Sequence, residues 1–324
     1  MTSIQKQFFI TEQYANQRLD QALAGIMPEY SRSRIKAWIE TGELLVNGKT
    51  WRPRDKVKGG ETVTLSVQLE DETDWKAQDI PLNIVYEDDD LIVINKPVDM
   101  VVHPGAGNPD GTLVNALLHY CPALNELPRA GIVHRLDKDT TGLLVVAKTV
   151  AAHTSLVKQL QARTVHREYE AIVQGLLTTG FTVDQPIGRH PHQRTKMAVV
   201  AEGLGKPAVS HVRVIERYRE HTRVRVQLET GRTHQIRVHL TYRHYPIVGD
   251  SVYGARLIIP AQATELLVQA LRNFKRQALH AYQLSLSHPS THKLMSWTAK
   301  LPQDMQNLIH LLHDDAITHQ DMDY

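Results

Sequence analysis

Between residues 84 and 239 the chain reads as a succession of short apolar runs of strand length. Runs at 84–86, 91–95, 143–148, 168–174, 209–215, 222–228 and 235–239 carry the β-branched and aromatic residues that suit a pleated surface. Helical periodicity breaks the series at 112–120 and 151–161, where Leu156, Val157 and Leu160 share the inward face. Strands arriving in runs, with few helices between them, argue against alternating βαβ units. They predict an α+β fold built on a large mixed, mainly antiparallel sheet.

A smaller unit precedes this region, with its core at 17–75. Arg18 to Ala24 is a short amphipathic helix, and Ser31 or Ser33 is placed to cap a second helix over 33–40. Ile35, Trp38 and Ile39 fall at i, i+3 and i+4 and share its buried face. Arg32, Arg34 and Lys36 then project outward as candidate RNA contacts. Asn47-Gly48 is a hairpin signal, and Gly59-Gly60 with a strand at 62–67 closes the unit. The polar, acidic stretch 70–79 is predicted to be a linker. The predicted domains are therefore 1–76, a small α/β unit, and 77–324.

Composition narrows the function. No run approaches the roughly 20 apolar residues of a membrane span, and residues 1–14 show no signal-peptide pattern. Cys121 is the single cysteine, which excludes an intrachain disulfide and a thiolate zinc site. A cytoplasmic setting is expected. From 32 to 58 there are eight Lys or Arg against three Asp or Glu, and the same counts recur from 211 to 243. Two basic blocks between acidic stretches suggest contact with a polyanion at two places. No heptad pattern or long apolar stripe argues for a dimer, so a monomer is expected.

The densest chemistry lies in Gly131-Ile132-Val133-His134-Arg135-Leu136-Asp137-Lys138-Asp139-Thr140-Thr141-Gly142, directly before an apolar strand. Taken alone it supports only a charged turn whose groups pair with one another. It does not stand alone. Asn95-Lys96-Pro97 with His103-Pro104-Gly105, Arg167-Glu168-Tyr169-Glu170-Ala171, Thr230-Gly231-Arg232-Thr233-His234-Gln235-Ile236-Arg237-Val238-His239, Pro246 to Asp250, and Leu279-His280-Ala281 accompany it in order. Together these segments resemble the Rlu branch of the pseudouridine synthases. The unit at 17–75 resembles the S4 RNA-binding domain, through Arg18-Leu19-Asp20, Ser31-Arg32-Ser33 and Val46-Asn47-Gly48. The attached S4 domain and the Lys138 to Gly142 continuation are similar to the D type of that branch, which acts on large-subunit rRNA.

That resemblance implies a pseudouridine synthase fold and an rRNA uridine isomerase without cofactor or metal, acting in the helix 69 loop of 23S rRNA. Asp137 matches the catalytic aspartate and Tyr169 the tyrosine that stacks on the target base. Arg232 or Arg237 matches the arginine that pairs with the aspartate; position in the motif favours Arg232. Other readings are a C-type synthase acting on other 23S uridines, a non-catalytic RNA-binding protein, and a metal-dependent nuclease using Asp137 and Asp139. The last lacks a wider ligand set.

The residue types suit the chemistry. Isomerisation breaks the N1–C1′ bond of uridine, rotates the base and joins C5 to C1′. No redox step or external group is needed. An aspartate is ionised near neutrality and serves as nucleophile or base. Extruding a base costs a few kcal/mol, and stacking on Tyr169 returns roughly 1–3 kcal/mol. His103, His134 and Asp139 are read as structural. His190 and His192 lack a third metal ligand nearby. Arg135, Lys138, Arg189, Arg194, Lys196 and Lys206 are candidate phosphate contacts.

Overall fold

The computed structural model describes residues 2–27, 30, 32–69, 75–105, 107–193 and 195–320. The chain divides into two units, Met1–Asp74 and Trp75–Tyr324.

In the first unit β1 (Thr2–Phe9), α1 (Leu19–Ile26), α2 (Arg32–Thr41), β2 (Leu44–Val46) and β3 (Thr62–Leu69) form a three-stranded sheet, order β1-β3-β2, with two helices. Leu19, Leu23, Ile35, Trp38, Ile39 and Leu65 meet in one core. Residues 1–14 are polar with scattered Phe and Ile in the sequence, yet Thr2–Phe9 form β1, which pairs along its whole length with β3. Asn47 and Gly48 both take positive φ, at 50° and 72°, as a type I′ turn requires. Lys49 makes only one bridge with Val46, and β3 is the lasting partner of β2. Arg32 is less free than its helix position suggests. Its Nε and Nη2 donate to Asp20 Oδ2 at 3.1 and 2.7 Å, and Arg18 binds the same buried carboxylate. Lys36 lies on the exposed side, 3.5 Å from Glu40. Ser31, the acidic run 70–74 and the tail 321–324 lie outside the described residues, as do the side chains of Ser33 and Arg34.

Residues 75–79, predicted as domain edge and linker, are held by the second unit. Asn115 Nδ2 donates to the Lys76 carbonyl at 2.8 Å, and Gly111 N–H donates to Gln78 Oε1 at 2.7 Å. The strands are β4 (Ile84–Glu87), β5 (Leu91–Lys96), β6 (Thr141–Ala147), β7 (His166–Gln174), β8 (Phe181–Asp184), β9 (Ile187–Arg189), β10 (Met197–Val199), β11 (Val209–Arg217), β12 (His221–Leu228), β13 (Leu279–Ser287) and β14 (Leu294–Thr298). The helices are α3 (Leu113–Tyr120), α4 (Val150–Gln161), α5 (Gln235–Tyr242), α6 (Glu265–Asn273) and α7 (Gln303–Gln320). The fold is α+β, with a nine-stranded sheet in the order β4-β5-β6-β13-β7-β12-β11-β8 and β14 beside β13. Its pairings are antiparallel except β13 with β6. β9 and β10 form a separate hairpin sheet.

β13 inserts between β6 and β7, and this places the residues that follow the Asp137 loop beside the tyrosine strand. Its Ala281 faces Tyr169 on one side and Gly142 on the other. Gly142 has φ +112°, and a Cβ there would lie 2.3 Å from the Ala281 carbonyl oxygen. The glycine therefore allows β6 to close on β13 directly after the loop.

One predicted strand is a helix. Residues 235–239 open α5, with His234 at φ 56° as the turn into it. Gln235 to Leu240 are all buried. A helix covered on every side loses the polar face that reveals a 3.6-residue period, and Ile-Arg-Val-His then reads as strand alternation.

Candidate active site

A cavity of about 860 Å³ opens at this junction, lined by the Asp137 loop, β7, the 229–234 loop and the first turn of α5. The Asp137 loop is tied down by its backbone. Lys96, fully buried, donates from Nζ to the carbonyls of Pro97, Met100 and Lys138 at 2.8, 2.9 and 2.8 Å. Burial pushes the Lys96 ammonium down to about 8, against the pull of Asp139 and Asp137. Arg276 Nη1 donates to the Asp139 carbonyl, and Gln277 Nε2 to Thr140 Oγ1. The loop residues other than Asp137 are thus largely occupied in shaping it. Sequence reasoning does not single out Lys96, whose only signal is its place in Asn95-Lys96-Pro97.

Asp137 is 16 % exposed at the side chain and faces the cavity. Arg237 Nη1 donates to its Oδ2 at 3.0 Å. His234 Nε2 stands 3.9 Å from Oδ1, beyond hydrogen-bond range. That oxygen remains available to a ligand. Arg237 is held from behind by Asp250, with Nε donating to Oδ2 at 2.7 Å and Nη2 to Oδ1 at 2.9 Å. Asp250 in turn accepts from the N–H groups of Val252 and Tyr253, and the Tyr253 ring lies under the guanidinium at 4.9 Å. Burial opposes the charge of Arg237, but Asp250 and Asp137 outweigh it and raise its pKa. Burial likewise opposes the charge of Asp250, yet Arg237 holds its carboxyl below the usual range.

Arg232, favoured from its motif position, is not the partner of Asp137. Its Nε donates to the Pro207 carbonyl at 2.9 Å. The reason is the helix: Gln235 Oε1 accepts from Arg232 N–H and Thr230 Oγ1, clamping the loop so that Arg232, though on the cavity wall, turns its Nε to Pro207 rather than to Asp137. Arg237, in the first turn of α5, points inward.

Tyr169, on β7, is 6 % exposed and lines the same cavity. Burial raises its phenol pKa, with Asp137 adding to the effect against Arg167. His134 accepts the Val145 N–H at its Nε2, and burial drives its pKa to about 3. His103 also lines the cavity, and burial lowers it to about 4; its buried Nε2 has no hydrogen-bond partner among the described residues. Both imidazoles are neutral at physiological pH. Among the candidate phosphate contacts, Arg135 is exposed and lines the cavity. Lys138 is turned to Asp99 at 2.8 Å. Arg189 and Lys196 sit on and beside the β9–β10 hairpin, away from the cavity lining. Arg194 lies outside the described residues. No group of three His, Cys, Asp or Glu among the described residues could hold a metal ion, and no helix there is long and apolar enough to cross a membrane.

A partly buried aspartate–arginine pair lining a basic cavity together with a tyrosine, on this sheet, defines a class that comparison with known proteins makes explicit. Residues 90–242 match the RNA pseudouridylate synthase family model and residues 17–63 the S4 domain. A solved structure, human RNA Pseudouridylate Synthase Domain Containing 4, is similar with a TM-score of 0.56 and 28 % identity, over 71 % of this chain and 93 % of that one. The ribosomal large subunit pseudouridine synthase D of Haemophilus influenzae is 58 % identical over 95 % of this chain and 95 % of the relative. That of Escherichia coli K12 is 58 % identical over 96 % of this chain and 95 % of the relative. The chain belongs to the RNA pseudouridine synthase family and, within it, to the synthase D type. It is an isomerase.

Proposed function

We propose that the chain converts uridine to pseudouridine in the 23S rRNA of the large ribosomal subunit, at the helix 69 loop, with Asp137 as the catalytic residue. The names of its relatives support the large-subunit substrate, and the S4 domain supports an RNA partner. The target loop rests on the likeness of the Lys138 to Gly142 segment and the S4 unit to the D type.

One observation carries the catalytic assignment: Asp137 faces the cavity with one oxygen bound by Arg237 and the other without a hydrogen bond among the described residues. Arg237 keeps the carboxylate oriented, and Asp250 keeps Arg237 oriented. Tyr169 supplies the stacking surface for the extruded base, which offsets the cost of flipping. The N1–C1′ bond breaks, the base turns, C5 bonds to C1′, and the proton from C5 is replaced in the product by one on N1. Atoms balance without an added group. Arg135 at the cavity mouth attracts the RNA backbone, as do Lys36 and Arg32 in the S4 unit. The reading includes a monomer working in the cytoplasm, where ribosomes are built.

The test maps pseudouridines in rRNA from cells lacking the gene, complemented with wild type or Asp137→Asn. Loss of modification in the helix 69 loop, restored only by wild type, is expected. Sites lost elsewhere in 23S rRNA would overturn the target. Restoration by Asp137→Asn would overturn the mechanism.

A further inference from the structure

Arg167 is a buried cation in want of an anion. It is 6 % exposed and lines the cavity that holds Asp137 and Tyr169. It forms no ion pair among the described residues. Its one hydrogen bond there runs from Nη2 to the Glu229 carbonyl at 3.5 Å, the outer limit, and its buried Nε has no partner. The carboxylate of Glu229 lies on the same loop but is turned to Arg163 and His211, each at 2.8 Å. Burial, with Arg232 nearby, pushes the Arg167 pKa below the usual guanidinium value. An unpaired buried charge is costly unless something completes it.

The other cavity arginines are placed differently. Arg129 and Arg135 are exposed, Arg163 is paired with Glu229, Arg232 is half-buried and donates to the Pro207 carbonyl, and Arg237 serves two carboxylates. Room at Arg167 is made by Gly231, where a Cβ would stand 2.7 Å from Nη1. Arg167 and Tyr169 are two residues apart on β7, so they face the same side at about 6.6 Å along the strand. That is comparable to the span from a nucleotide's base to its phosphate.

We propose that Arg167 is a phosphate subsite: its guanidinium receives the backbone phosphodiester flanking the uridine that stacks on Tyr169. The inference rests on the function proposed above. It makes Arg167 a positioning residue that sets the sugar of the target nucleotide in front of Asp137.

The test uses an rRNA stem-loop in which one phosphodiester, 5′ or 3′ of the target uridine, is replaced by a neutral methylphosphonate. Wild type should lose roughly 10- to 100-fold in kcat/KM at one of the two positions. Arg167→Met should show that loss on the unmodified RNA and be insensitive to the methylphosphonate. Arg167→Lys, which keeps a charge but not the fork, should fall between them and serves as the variant if Met does not fold. A methylphosphonate penalty as large in the variant as in wild type, or no penalty in wild type at either position, overturns the subsite. Wild type making no pseudouridine on the unmodified RNA instead sinks the proposed function.

Discussion

Arg237 and Asp250 are joined by two parallel hydrogen bonds, 2.7 Å from Nε and 2.9 Å from Nη2, and this fork leaves Nη1 directed at Asp137. Asp250→Asn removes the charge while keeping the shape. We expect the fold to persist and kcat to drop about 10-fold or more, because Arg237 loses the partner that aims it. Single-turnover pseudouridine assays alongside a thermal melt check this; an unchanged kcat would mean that Asp250 has no part in aiming Arg237.

Removing Arg237 itself leaves the buried Asp250 and the partly buried Asp137 without their cation. Arg237→Met should cost about 3–5 kcal/mol of stability, by the general cost of breaking a buried pair, and abolish turnover. Arg232→Ala, by contrast, should keep kcat within a few-fold, since among the described residues its guanidinium hydrogen-bonds to the Pro207 carbonyl and not to Asp137. Measuring both variants side by side decides between the two arginines.

Asp137→Asn should retain RNA affinity within a few-fold in filter binding, because phosphate contacts elsewhere dominate affinity, while pseudouridine formation disappears. A parallel loss of binding would show that Asp137 acts on substrate capture.

Tyr169→Phe keeps the ring and removes the hydroxyl. If stacking is its main role, kcat/KM should fall only a few-fold, whereas Tyr169→Leu should lose about 5- to 150-fold, matching roughly 1–3 kcal/mol of stacking. Equal losses in the two variants would place the contribution in the hydroxyl.

His221, fully buried, has its pKa lowered to about 4 by burial. Its folded value lies below the unfolded one near 6.5. As pH falls from about 6.5 to about 4 only the unfolded chain gains this proton, so stability is lost across that window and is fully present above it. Denaturant melts should show His221→Phe flattening the slope by up to about 1.4 kcal/mol per pH unit. An unchanged slope would assign the acid sensitivity to other groups.

Much of this protein is legible in its residues. Strand runs announce the α+β sheet because a half-buried or fully buried strand writes its apolar residues in short, bounded stretches. The Asn47-Gly48 turn and the inward face of α2 are equally local. Asp137 and Tyr169 can be named because ordered motifs carry them in a family resemblance. What local pattern does not convey is what lies opposite each group. α5 reads as a strand because burial on every side erases its amphipathic signature. The choice between Arg232 and Arg237 turns on that error, since a helix starting at Gln235 turns Arg237 to Asp137 and leaves Arg232 on the loop before it, bound to the Pro207 carbonyl. Lys96 and Arg167 are plain motif letters until the fold closes around them. By itself the sequence determined six strands of the large sheet, the domain types and the motif residues proposed to react, which depend on local composition and ordered motifs. Only the tertiary structure decided which charges meet: pairings across 100 residues, such as Asp137 with Arg237, exist only once β13 has inserted between β6 and β7 and the chain has folded the two segments onto one cavity.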